Sequence, residues 1–155
     1  MIKLVTAKSG DVEMLSSLFQ KYLYDMSRYY DSALDEDGNY PYPYLPLYFT
    51  DSDRQAWFIY DDDTLVGFAL INTHSFVESE AEHALAEFTI FPAYRSRGYA
   101  AASAKELFAR LPGTWQLKFS TNNTPAARFW RKLLTPYGAR EHDLGGGETA
   151  VSFRA

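Results

Sequence analysis

The stretch Glu87 to Ala100, EFTIFPAYRSRGYA, decides the reading of this chain. Its apolar run ends at Pro92, a short loop carrying Arg95 and Arg97 follows, and Gly98 and Ala100 open a segment of helical composition. A strand thus delivers the chain to a helix N-terminus through a junction small enough for backbone N–H groups to reach an anion. Glycine permits positive φ and close approach, and the first-turn amides of a helix are unpaired at the positive end of its dipole. The spacing is neither G-x-G-x-x-G nor G-x-x-x-x-G-K-[ST], so the dinucleotide and P-loop readings do not apply. What the residues predict is a phosphate cradle. A plain strand-to-helix turn with surface arginines is the competing reading.

A second junction lies downstream. Asn123-Thr-Pro-Ala126-Ala-Arg-Phe129-Trp130 follows a strand-like run, Trp115 to Ser120. It starts a helix with Pro125 near the first position and Asn123 or Thr124 as cap. Taken in order, the two junctions resemble the signature motifs of the GNAT superfamily, the acyl-CoA N-acyltransferases. The first, R/Q-x-x-G-x-G/A, is here Arg95-Ser-Arg-Gly98-Tyr-Ala100; the second, N-x-x-A-x-x-F-Y/W, is here Asn123, Ala126, Phe129 and Trp130. The segment YLYDMSRYYDSALDEDGNYPYPYLPLY also resembles the N-terminal part of a group of bacterial GNAT proteins with an FWR motif. That likeness names no substrate.

Composition restricts the rivals. A chain of 155 residues, 46% hydrophobic and 23% charged, reads as a single globular domain over 1–155 with a core that needs no staples. It has no cysteine, which removes disulfides, thiolate metal sites and an acyl-cysteine intermediate. The opening MIKLVTAKSGD lacks a signal-peptide apolar core, and no apolar run approaches membrane-spanning length. The expectation is a cytoplasmic protein without membrane or nucleic-acid partners, since no basic stripe is visible. The net charge of −5 is uneven: 12 acidic and 5 basic residues lie in 1–63, against 8 and 10 from Thr64 onward. The second portion holds both motifs and suits a polyanion; the first suits a cationic acceptor. Solvated turns at Asp35-Glu36-Asp37 and Asp61-Asp62-Asp63 are the simpler reading of the acidic clusters.

Periodicity gives the element order. Ile2 to Ala7 alternates as a strand, and a helix starts at Ser9 or Gly10. Its stripe of Val12, Leu15, Leu18, Phe19, Tyr22, Leu23 and Met26 steps by three and four. Residues 29–53 read as irregular, because Pro41, Pro43 and Pro46 forbid a long helix. Strands follow over Ala56–Tyr60, Leu65–Asn72 and Glu82–Phe91, then a helix over Tyr99–Leu111, a strand over Trp115–Ser120 and a helix over Ala126–Leu134. A hairpin of Ala139–Leu144 and Thr149–Phe153 closes the chain across three glycines. The order is β-α-(short α)-β-β-β-α-β-α-β-β. With the resemblance, it predicts an α/β (α+β) fold: a GNAT-like mixed sheet of six to seven strands, helices on both faces, and splayed central strands.

The resemblance also implies a chemistry: N-acetyl transfer from acetyl-CoA to a primary amine of a small molecule or protein, through a ternary complex and without a metal. Pantetheine would enter between the splayed strands. Main-chain groups of Phe88, Thr89 and Ile90 would pair with its amides, and one N–H would polarise the thioester carbonyl. Arg95, Ser96, Arg97, Gly98, Tyr99 and Ala100 would hold the pyrophosphate, and Asn123 the pantetheine arm, with Phe129 and Trp130 completing the second motif. A cationic amine must lose a proton before attack. Glu87 is the candidate base, on the same strand face as Thr89 and opposite Phe88 and Ile90; a structural glutamate paired with an arginine is the other reading. His74 and His83 are further candidates by intrinsic pKa. Many relatives carry a tyrosine where this chain has Trp130, and its hydroxyl is thought to protonate the leaving thiolate. An indole cannot, so Tyr137 or Tyr99 substitutes, or the thiolate leaves unassisted.

Nine of the twelve tyrosines fall between Tyr22 and Tyr60. Their flat apolar walls and cation-attracting faces, with Asp25, Asp31 and Asp35 nearby, suggest an amine pocket with Tyr29 and Asp31 as contacts. Ordinary packing of a Pro/Tyr-rich connector is the alternative. A monomer or homodimer is expected. An acyl-CoA-binding sensor without efficient turnover is the second functional reading.

Overall fold

The segments that alternate become strands and the segments that step by three and four become helices. A computed structural model describes residues 1–78 and 81–155. Its elements are β1 (Ile2–Thr6), α1 (Val12–Met26), β2 (Arg54–Asp61), β3 (Thr64–Asn72) and β4 (His83–Ile90), followed by α2 (Tyr99–Arg110), β5 (Thr114–Ser120), α3 (Thr124–Leu134), β6 (Arg140–Gly145) and β7 (Glu148–Arg154). The helix expected from Ser9 begins as a 3-10 turn, Ser9–Asp11, before α1 proper. The predicted short helix of the connector is a 3-10 turn, Leu45–Phe49, with Pro46 in its first turn where a missing N–H costs nothing.

All strands join one mixed sheet in the order β1-β2-β3-β4-β5-β7-β6, antiparallel except for the parallel pair β4–β5. This is the mixed α/β sheet of seven strands expected from the sequence, and helices cover both faces. On one face, Leu15 and Phe19 of α1, four apart, bury against Phe58, Phe68 and Leu70 together with Leu45 and Tyr48 of the connector. On the other, Leu107 and Phe108 of α2 and Ala127, Trp130 and Leu134 of α3 pack on Ile71, Trp115 and Leu117. Phe19 and Phe68 are fully enclosed, and losing either ring costs ~3–5 kcal/mol on the scale of core truncations.

Two irregularities shape the centre of the sheet. The β4–β5 ladder consists of three residue pairs, His83 with Trp115, Ala84 with Gln116 and Leu85 with Leu117. Past Leu85 the two strands part, while β4 stays paired to β3 and β5 to β7. The splay therefore opens at the ends that lead into α2 and α3. The second irregularity is a bulge in β4: Leu70 opposes Glu87 and Ile71 opposes Leu85, so Ala86 is the extra residue. Leu85 and Phe88 join the α2/α3 core, and Ala86 packs on the α1 side. The bulge resets the alternation at Glu87, which turns to α1 with Ala86 instead of sharing the face of Leu85. At Gly67 of β3 a Cβ would lie 2.1 Å from the Thr89 carbonyl oxygen, so glycine lets β3 lie this close to the end of β4.

Candidate functional site

The loop from Pro92 to Gly98 is built around its backbone. After a 3-10 turn over Pro92–Tyr94, Ser96 and Gly98 adopt left-handed φ values of 63° and 82°. Such residues turn successive N–H groups toward one concavity. Among the described residues, the N–H groups of Ser96, Arg97, Gly98, Tyr99, Ala100 and Ala101 meet no acceptor. A Cβ at Gly98 would touch nothing within 4 Å, so the requirement for glycine is its φ and the approach of a ligand, not crowding by protein. Six N–H groups without a protein acceptor at a helix N-terminus fit a pyrophosphate.

The two arginines are placed differently from one another. Arg95 donates from Nε to the Ile90 carbonyl at 2.8 Å and from Nη2 to Asp25 Oδ2 at 2.9 Å. Its guanidinium thus ties the loop to both β4 and the last turn of α1. Arg97 is exposed and stacks over the Tyr94 ring, 5.8 Å from its centroid. Tyr99 donates its hydroxyl to Asp61 Oδ2 at 2.5 Å, and this bond pushes the phenol pKa up.

A cavity of about 860 Å³ lies between this loop, α2 and α3. Of the residues singled out from sequence, Ile90, Arg95, Ser96, Gly98, Tyr99, Ala100 and Phe129 line it. Tyr137 also lines it, whereas the Tyr99 hydroxyl is engaged by Asp61. Lys105 of α2 and Lys132 of α3, which no sequence motif marked, add two cations to the lining. Phe88 and Trp130 sit behind the wall as an edge-to-face pair with centroids 5.4 Å apart. Where a tyrosine would offer a hydroxyl, Trp130 packs α3 onto β4. Asn123 caps α3, its Oδ1 accepting from the Ala126 N–H at 3.2 Å. Thr89 is buried on the α1 side, its hydroxyl 3.4 Å from Arg95 Nη2.

On that α1 side stands Glu87. Its Oε2 accepts from the Tyr22 hydroxyl at 2.5 Å, across 65 residues of sequence. Tyr42 of the connector and Lys118 of β5 act on the carboxylate from other directions and favour its charge, while Glu148 of β7 opposes it. Glu87 keeps a partly accessible side chain although protein atoms crowd the carboxylate. Burial is the largest influence, and it pushes the carboxyl up to about 7. Tyr30 faces both carboxylates: desolvation first, then Glu148 and Glu87, push its phenol up to about 12. Lys118 Nζ lies 3.3 Å from Glu148 Oε2.

The tyrosines that gather here are therefore Tyr22, Tyr30 and Tyr42. Tyr29 carries the Arg28 guanidinium over its ring at 4.9 Å, and Asp31 is exposed. Neither has a contact with Glu87 among the described residues. Helix α1 ends at Met26 and the chain turns at Ser27, which separates Tyr29 from the stripe that carries Tyr22. His74 and His83 lie toward the closed end of β4–β5. His83 Nε2 is 3.3 Å from the Pro112 carbonyl and His74 Nε2 is 3.0 Å from Asp53 Oδ2. Sequence offered a partial signal for Tyr22, which sits three residues after Phe19 on the buried stripe. It offered none for Lys118 or Glu148, which reach the site through strand register.

No cluster of metal-binding side chains occurs among the described residues, and no described helix is long and apolar enough to cross a membrane. The family model for the acetyltransferase (GNAT) family matches residues 14–134. Among solved structures, an acetyltransferase from Thermus thermophilus is 17% identical with a TM-score of 0.74, the match covering 100% of this chain and 97% of that one. A GNAT-family acetyltransferase from Streptococcus agalactiae is 15% identical with a TM-score of 0.72, over 99% and 95%. The PaiA N-acetyltransferase from Thermoplasma acidophilum, solved in complex with coenzyme A, is 13% identical with a TM-score of 0.62, over 100% and 99%. A search of curated proteins finds no significant match.

Proposed function

Because the chain belongs to the acetyltransferase (GNAT) family, we propose that it transfers the acetyl group of acetyl-CoA to a primary amine by direct attack in a ternary complex. The observation that carries this reading is the splay of β4 from β5 after three pairs, flanked at its mouth by a loop of unpaired N–H groups. Ser96, Arg97, Gly98, Tyr99 and Ala100 hold the pyrophosphate through their backbone donors. The 860 Å³ cavity between α2 and α3 receives the rest of the CoA, with Phe129 in its wall and Lys105 and Lys132 facing its charge. Arg95 acts mainly as a brace, since Asp25 and the Ile90 carbonyl already occupy its guanidinium. Pantetheine lies along the unpaired edge of β4 at Phe88 to Ile90, within reach of Asn123, and Trp130 supports that edge from behind.

The acceptor enters from the α1 side, where Glu87, Glu148 and three tyrosines favour a cation. Tyr29 and Asp31 belong to the outer approach. Glu87 takes a proton from the ammonium. The free nitrogen then forms a bond to the thioester carbonyl carbon, the C–S bond breaks, CoA leaves as the thiolate, and the second proton that the nitrogen sheds as the amide forms passes to that thiolate to give CoA-SH. A main-chain N–H at the splay stabilises the oxyanion, and positioning of the two reactants supplies much of the remainder. A base whose pKa lies near 7 is matched to this task, being ionised at neutral pH yet a better acceptor than an exposed carboxylate.

The test is thiol release from acetyl-CoA with a panel of amines. Release above the hydrolysis background with at least one primary amine is expected. CoA binding with no amine-dependent release supports a second reading, an acyl-CoA-binding sensor, which Trp130 favours by replacing the usual hydroxyl.

A further inference from the structure

The hydroxyl of Tyr22 has a role in the transfer that neither the motifs nor the family assignment gives it. Helical spacing puts Phe19 and Tyr22 on one face of α1, and Phe68 of β3 packs against both. The Tyr22 ring lies 5.5 Å from Phe19 and 5.5 Å from Phe68, the second contact edge-on. Held by those two rings, the phenol has little freedom to turn away. Its hydroxyl ends 2.5 Å from Glu87 Oε2, and the bond joins α1 to the bulged part of β4.

We propose that Tyr22 is the positioning residue of Glu87: its hydroxyl fixes one carboxylate oxygen and so orients the carboxylate to take the proton of the acceptor ammonium. This rests on the reading of Glu87 as the base. Without the hydroxyl, the carboxylate keeps its burial but loses the short donor that favours its charged form. The other groups facing it differ in strength and sign. Tyr42, with Tyr48 behind it, comes from the connector, Lys118 from β5 and Glu148 from β7, and Tyr30 stands at the outer edge. On α1, Asp25 is engaged by Arg95 and Arg28. Among these, Tyr22 holds the short fixed bond, so the working pH of the base depends on it most.

The experiment compares wild type with Tyr22→Phe, which keeps the ring between Phe19 and Phe68 and removes only the hydroxyl. Two readouts are taken on one preparation: the Glu87 titration by carbon NMR of labelled glutamate side chains, assigned with Glu87→Gln, and the pH dependence of kcat/KM for the acceptor. We expect the Glu87 midpoint to rise by about one pH unit, the scale of one hydrogen bond to a charged group. The acid limb of kcat/KM should rise with it, giving roughly a fivefold loss at pH 7 and about a tenfold loss well below it, while the Kd for CoA changes less than twofold. A midpoint that stays within about 0.3 units overturns the proposal, as does a rate loss equal at every pH. Tyr22→Leu serves as the packing control: matching pH profiles for Leu and Phe support the hydroxyl's role, and a shift with Leu alone overturns it. If wild type shows no turnover with any amine, the acetyltransferase reading fails, yet the NMR midpoint still reports whether Tyr22 holds the carboxylate.

Discussion

The two faces of the sheet meet the same gap between β4 and β5, and they are made in opposite ways. The α2/α3 face is local: the donor loop, the two helix starts and most of the cavity wall come from residues 90–101 and 123–137. The α1 face is assembled at long range, with Tyr22, Tyr42, Glu87, Lys118 and Glu148 arriving from five separate segments. The difference has a physical basis. Binding a polyanion by backbone N–H groups needs a particular chain path, which a short motif encodes. Tuning one carboxylate needs burial and several distant neighbours, which no short motif can encode. Arg95 and Asp25 connect the two faces.

If the division is real, damage on one face should leave the other's observable intact. The largest effect is expected for Glu87→Gln. Its rate on an amine should fall by roughly 10²–10⁴ at neutral pH, while calorimetry finds CoA affinity nearly unchanged. Loss of CoA binding in this variant would break the division. The same variant has a stability signature. Because the folded-state pKa is raised above the usual 4.5 to about 7, folding favours the protonated form. That contribution is fully present below pH ~4.5 and is lost as pH rises through about 7. Glu87→Gln should therefore match wild type in Tm near pH 4.5 and exceed it by a few degrees at pH 8.5, at ~2–4 °C per kcal/mol for a domain of this size.

The next effect belongs to the other face. Gly98→Val forces a β-branched residue to φ 82° and puts a side chain where the phosphates approach, so CoA affinity should drop by roughly 10- to 100-fold in calorimetry. Equal affinities would remove the cradle from the account. A smaller effect is expected at the bridge between the faces. Asp25→Ala frees Arg95 from α1, and the Kd for CoA should weaken by about two- to fivefold, as for a partly exposed ion pair. The smallest distinguishes two versions of the acceptor wall. Tyr30→Ala should raise the acceptor KM more than Tyr29→Ala, and the reverse order would place the amine toward Asp31.

This asymmetry also sets how much was legible beforehand. The order of elements followed from periodicity, and the two junctions gave the donor loop and the cap at Asn123 because capping and left-handed glycine are local chemistry. The bulge at Ala86 was not legible: no residue type marks it, yet it turns Glu87 toward α1. Tyr22 was visible as a member of the buried stripe and of the tyrosine cluster, but not as the partner of Glu87, which lies 65 residues away. Among nine crowded tyrosines, composition could not separate Tyr30 and Tyr42, which face Glu87, from Tyr29, which carries Arg28. Arg95 was legible as a motif residue but not as a brace, because Asp25 is brought to it only by the packing of α1.

The central claim is that a half-buried carboxylate on the α1 face takes the acceptor's proton, and the pH dependence of kcat/KM for an alkylamine acceptor tests it most directly. Ionisation of Glu87 predicts a tenfold rise per pH unit at low pH, then a break near pH 7 and a plateau up to the pKa of the amine. A rate that keeps rising tenfold per unit through pH 7 to the amine's own pKa, with no break, would contradict it.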